Sequence, residues 1–215
     1  MAASFRFYTR HNLVELLGRR ATTAGELRDG IASVPGASIY YHTHRFLQQH
    51  HYLSPEPPND FAFWVTTSLG LDALGELLAS VDTVRCGRIE DLRARTLDVL
   101  DAHLANGRTR TTACPEGEDF HFMACRTFVL PTPYQARDLR EFVGVLDKIS
   151  IHSIYYHVFE ARLRLEKGVN DFSTWFEALG HPDLARAVSR LDPYTMTLDG
   201  LRKKIIGEVQ RHVRD

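Results

Sequence analysis

The chain has 215 residues, 44% hydrophobic and 25% charged, an ordinary globular composition that excludes disorder, collagen-like repeats and a disulfide scaffold. Its 26 Lys and Arg against 27 Asp and Glu leave a net charge of −1, too little field to draw in nucleic acid or an anionic membrane. The unusual feature is 11 His, with His42, His44, His50 and His51 close together.

In chain order, Phe5 to Leu13 reads as a short strand. A helix follows around Glu26-Leu27-Arg28. Ser38 is placed as the N-cap of a helix carrying Tyr40-Tyr41-His42. Asp60 is placed as the N-cap of the next, whose first turns hold Phe61 and Trp64. Leu71, Leu74, Leu78 and Val81 recur at helical spacing. Residues 106–118, rich in Gly, Pro and Thr, read as a linker. Phe120 to Leu130 is the second strand, ended by Pro131 and Pro133. Helices are then expected around Asp138-Leu139-Arg140, from an N-cap at Ser153, and from an N-cap at Asp171. The last helix carries the stripe Leu198, Leu201, Ile205, Val209 and Val213.

The chain also repeats itself. Ser38-Ile39-Tyr40-Tyr41-His42 returns unchanged as Ser153-Ile154-Tyr155-Tyr156-His157. Asn59-Asp60-Phe61 returns as Asn170-Asp171-Phe172, and Trp64 as Trp175. Leu92-Arg93 matches Leu201-Arg202, and Phe5-x-Phe7 matches Phe120-x-Phe122. The expectation is a mainly α protein with a short strand in each half, built as two tandem pseudo-symmetric helical repeats, 1–105 and 119–215, packed as one unit. The two strands are expected to pair with each other, which satisfies their edges.

Residues shared by both repeats are what the architecture needs. Residues found in one repeat are candidates for something else. After the shared His, the first repeat runs Thr43-His44-Arg45-Phe46-Leu47-Gln48-Gln49-His50-His51, and the second Val158-Phe159-Glu160-Ala161. A small-ligand site between the repeats would draw on Tyr41, His42, His44, Arg45, Gln48, Tyr156, His157 and Glu160. Arg45 and Glu160 would meet there as a charge-assisted pair. A divalent metal such as zinc, manganese or iron would draw on His42, His44, His50, His51, Glu56, His157 and Glu160, since imidazole and carboxylate suit all three. The alternative is a non-catalytic interaction or regulatory module in which these histidines are structural, bonded to tyrosine hydroxyls or backbone groups. No catalytic residue is assigned.

The segment Ser38-Ile-Tyr-Tyr-His-Thr-His-Arg-Phe-Leu-Gln-Gln-His-His-Tyr-Leu-Ser-Pro-Glu-Pro-Pro-Asn-Asp-Phe61 resembles an uncharacterised bacterial and archaeal family labelled only as a domain of unknown function. Phe159 to Arg164 and Leu191 to Thr195 fit the same family. The resemblance spans nearly the whole chain and implies a prokaryotic protein with no assigned activity, cofactor or catalytic residue.

The sequence contains no Gly-x-Gly-x-x-Gly, Walker loop, Gly-x-Ser-x-Gly or His-Glu-x-x-His, which argues against a nucleotide-binding α/β enzyme or a serine hydrolase. Cys86, Cys114 and Cys125 are odd in number and form no Cys-x-x-Cys. With no signal-like or membrane-spanning stretch, they suggest a reducing cytoplasm. The expected partners are a small molecule and, as an open option, further copies of the chain. Nucleic acid and membrane are not expected.

Overall fold

The computed structural model describes residues 4–44, 59–83, 86, 88–105, 112–161, 169–191 and 196–213. The fold is mainly α with one small sheet. Strands β1 (Phe5–Ala21) and β2 (Phe120–Ala136) pair with each other as a two-stranded antiparallel ribbon. The helices of the first half are α1 (Ala24–Ser33), α2 (Gly36–His44), α3 (Asp60–Thr67), α4 (Asp72–Ala79) and α5 (Ile89–Leu104). Those of the second are α6 (Leu139–Leu146), α7 (Ile151–Tyr155), α8 (Asp171–Ala178), α9 (Pro182–Ser189) and α10 (Leu198–Val213). A single π-helical turn, Tyr156–Glu160, continues α7. No described helix is long and apolar enough to cross a membrane.

Both strands run well past their expected ends. β2 continues through Pro131 and Pro133, because a two-stranded ribbon leaves each strand one unpaired edge. The two prolines are two residues apart, so both lack their N–H on the same edge, where no partner is needed. The caps also differ from expectation. α3 and α8 are capped by Asn59 and Asn170, whose side chains accept from the backbone of Ala62 and Ser173. Asp60 and Asp171 therefore sit one residue inside the helix and do not serve as its caps. Ser38 lies inside α2, and Ser153 lies inside α7, which is capped by Ser150.

The chain divides into two compact units. An N-terminal unit takes Asn12–Gln49 and Ser54–Arg126; a C-terminal unit takes Met1–His11 and Thr127–Asp215. The division does not follow the 1–105 and 119–215 boundaries. It cuts β1 after His11 and β2 after Arg126, so the start of each strand packs with the helices of the opposite half of the sequence.

In the N-terminal unit, Phe120 and Phe122 enter a core made by Leu27, Ile31, Ile39, Phe61, Trp64, Leu74, Leu92 and Leu100. A Cβ on Gly30 would collide with the Phe122 ring, so this position admits the ring only as glycine. In the C-terminal unit, Phe5 and Phe7 pack against Phe142, with ring centroids 6.1 and 5.6 Å away, and Phe5 also meets Phe172 and Trp175 at 5.4 Å. Two arginines tie helices together inside their own units. Arg93 of α5 donates to the carbonyls of Ile31 and Val34 at the end of α1. Arg202 of α10 donates to the carbonyls of Asp147 and Ile149 beyond α6. Each satisfies carbonyls that a helix end leaves without an intrahelical partner.

Candidate functional site

The shared histidines are buried, 3% exposed at His42 and 2% at His157, and each is held at both ring nitrogens. His42 Nδ1 lies 2.8 Å from Asp60 Oδ2, and the backbone N–H of Met123 donates to its Nε2 at 2.9 Å. His157 Nδ1 lies 2.8 Å from Asp171 Oδ2, and the backbone N–H of Tyr8 donates to its Nε2 at 2.9 Å. A backbone N–H can only donate, so Nε2 must accept in both cases. The ring proton then sits on Nδ1 and points at the carboxylate. Each histidine is a neutral clasp between a helix carboxylate and the backbone of a strand.

Such a ring has no lone pair to spare. Neither histidine can bind a metal or remove a substrate proton through Nε2 without releasing its strand. Among the described residues, no group of three or more His, Cys, Asp or Glu is placed to hold a metal ion. His42 and His44 lie in the N-terminal unit, and Tyr156, His157 and Glu160 in the C-terminal unit. Tyr41 packs edge-on to His42, with centroids 4.8 Å apart. Arg45, Gln48, His50, His51 and Glu56 lie outside the described residues.

His44 is 3% exposed and stacks on Tyr40 at 5.3 Å with a 7° interplanar angle. Thr43 Oγ1 donates to the Ile39 carbonyl and so accepts from His44 Nδ1 at 2.8 Å. In the other half, Phe159 stacks on Tyr155 at 4.9 Å and 6°. The His-for-Phe change thus keeps the stack and adds a hydrogen bond. Glu160 meets Arg10, with Oε1 2.8 Å from Nη1, and the Arg10 guanidinium also lies 4.2 Å over the Tyr155 ring. The Arg10 side chain is fully buried.

The second clasp has an additional point of hold. Ser153 Oγ donates to the Tyr8 carbonyl at 2.5 Å, so α7 and the π-helical turn that continues it hold both the C=O and the N–H of one strand residue. Beside it lies a cleft of about 630 Å³, whose walls include Arg6, Tyr8, Tyr156, Asp171, Thr174 and Trp175. Tyr156 and His157 were legible as candidates from the repeat. Arg6, Tyr8, Arg10 and Thr174 were not singled out, although each differs from its match in the other half: His121, Met123, Cys125 and Phe63. The strand comparison marks Arg6, Tyr8 and Arg10, and the comparison of α8 with α3 marks Thr174.

The sequence profile of a family of unknown function (DUF5752) matches residues 2–210. A solved structure titled "The structure of OrfY from Thermoproteus tenax" superposes with a TM-score of 0.82 at 29% identity, covering 97% of this chain and 95% of that one. No curated protein matches.

Proposed function

The chain belongs to the DUF5752 family, whose function is unknown, and we propose that it is a non-catalytic binding module: two duplicated helical halves, with a small-molecule cleft in the C-terminal unit. The observation that carries the reading is the cleft beside the His157–Asp171 clasp. It offers aromatic walls from Tyr8, Tyr156 and Trp175, a cation at Arg6 and hydroxyl groups at Thr174 and the two tyrosines. A concave site with aromatic walls and a few polar groups is the usual form of a ligand pocket. Both ring nitrogens of His157 are engaged, which supports binding over acid–base chemistry at this place. Duplication is supported by the recurrent Ser-Ile-Tyr-Tyr-His segment and by clasps of equal length in the two halves. A cytoplasmic setting is supported by three free cysteines.

The test is a thermal-shift screen of small organic anions, cations and neutral ring compounds, followed by titration of hits against Trp175 fluorescence. Thr174→Phe installs the residue found at the matching position of the other half, Phe63, and fills the cleft. The reading expects at least one class of compound to raise Tm in the parent and to lose that effect in Thr174→Phe. Hits that bind both proteins equally would contradict it.

A second reading, a partner-binding module, has its own support. In the C-terminal unit, β2 exposes Phe128, Val129 and Leu130 in succession. A run of exposed apolar side chains is typical of a protein contact surface.

A further inference from the structure

The start of each strand is held as a bound peptide would be held. In the C-terminal unit, Phe5 and Phe7 lie in a cage of aromatic rings from α6 and α8, with Phe7 fully buried. His157 accepts a hydrogen bond from the N–H of Tyr8, and Ser153 donates one to its carbonyl. In the N-terminal unit, Phe120 lies against Phe61 and Trp64, the fully buried Phe122 packs edge-on to Phe120 and His42, and His42 accepts from the N–H of Met123. Backbone bonds supply the hold and the alternate side chains supply selectivity, which is the logic of strand-in-groove recognition. In both cases strand and groove come from opposite halves of the sequence, more than 80 positions apart.

We propose that each helical half is a receptor for an extended aromatic-x-aromatic segment, and that it accepts this segment from a second copy of the chain as well as from its own. The occupant is defined by what fills the groove now: Phe5-x-Phe7-Tyr8 in one, Phe120-x-Phe122-Met123 in the other. Nothing in either groove requires the two halves to be covalently joined. Two copies can therefore trade halves and keep every groove contact, the condition under which exchange carries little cost. In an exchanged pair the cleft of the C-terminal unit is composite. One copy supplies Phe5, Arg6 and Tyr8, and the other supplies Tyr156, Asp171 and Trp175. This inference does not depend on a ligand occupying that cleft.

The test uses the full-length chain with a protease site inserted between Gly107 and Arg108. One preparation is uniformly ¹⁵N-labelled and one is not. Each is cleaved while folded, and native mass spectrometry first checks that the cleaved chain is still one particle. The two are then mixed, unfolded in urea and refolded by dilution. The proposal expects heavy–light pairs of complementary halves at about half of all particles, as random re-pairing gives, with near-UV circular dichroism restored. Phe7→Ala in the cleaved chain is expected to weaken re-pairing by about a hundredfold, from the loss of a buried ring. The proposal is overturned by halves that part and fold singly, by halves that do not re-pair, or by Phe7→Ala re-pairing as tightly as the parent.

Discussion

Ser153 Oγ donates to the carbonyl of Tyr8, whereas Ser38, its match in the repeated segment, is buried with no hydrogen-bond partner for its hydroxyl among the described residues. The same residue type therefore contributes differently in the two halves. Ser153→Ala removes a made bond and leaves a carbonyl without its donor; it should destabilise by about 1–2 kcal/mol. Ser38→Ala removes an unsatisfied hydroxyl and should be neutral or slightly stabilising. Urea unfolding of the two variants beside the parent measures both, and equal losses would contradict the asymmetry.

Arg10 and Glu160 form an ion pair, with the arginine side chain fully buried and the glutamate side chain 17% exposed. Burying two charges is costly, and the pair recovers that cost only while both members are present. Arg10→Met and Glu160→Gln each remove one member of the pair and leave the other charge without its counter-charge, so each single change should cost about 3 kcal/mol or more. The double variant Arg10→Met/Glu160→Gln should be more stable than the sum of the singles predicts. A double-mutant cycle by denaturant unfolding gives the coupling; strict additivity would show that the two charges do not depend on one another.

His152 is exposed at the surface, but partial desolvation of its ring disfavours the imidazolium and, with His11 and Arg10 adding positive charge nearby, holds it below its ordinary value of 6.5. The His11 ring is 6.2 Å away. The unfolded chain consequently takes up a proton at this position at a higher pH than the folded chain. The contribution to stability is complete above about 6.5 and declines as the pH falls from there through the lowered folded value. His152→Gln should flatten this part of the acid side of the stability curve. Urea midpoints measured in steps from pH 7.5 to pH 5 would show a smaller fall in the variant than in the parent. An identical fall would place the titration elsewhere.

Gly30 sets the depth at which Phe122 can enter the N-terminal unit. Gly30→Ala puts a methyl group into that ring and should destabilise by about 2–3 kcal/mol, as overpacking does. The matching helix of the other half has no such requirement at Gly144, where nothing lies within 4 Å of an added Cβ. Gly144→Ala, inside a helix, should be neutral or stabilising by up to about 1 kcal/mol. Thermal unfolding of the two variants separates the cases.

Much of the fold was legible because it is written in side-chain pattern. The apolar stripe of α10 and the leucines of α4 follow from spacing, and the pairing of the two strands follows from the need to satisfy their edges. What was hidden was backbone. Strand N–H groups leave no mark in a sequence, so the groups that fill Nε2 of His42 and His157 could not be read, and the histidines looked available to a metal. The caps misled by one residue because Asn and Asp are both good caps and stand side by side at 59–60 and 170–171. Asp60 and Asp171 were legible as shared residues, but their role as proton acceptors for the histidines was not. Arg10 was missed for a different reason. It stands on a strand, at the position matched by Cys125 in the other half, and its pairing with Glu160 comes from the fold and not from any local pattern around it.

His42 and His157 are neutral clasps, with the proton on Nδ1 and the Nε2 lone pair given to a strand N–H. Long-range ¹H–¹⁵N spectra of the uniformly labelled protein at neutral pH test it directly, because ring nitrogen shifts report which nitrogen is protonated. The account predicts the Nδ1–H tautomer at both residues, with couplings across the hydrogen bonds from Nε2 of His157 to the amide of Tyr8 and from Nε2 of His42 to the amide of Met123. A proton on Nε2, or shifts at Nε2 that move on adding zinc, would contradict it and return these histidines to the candidate ligands.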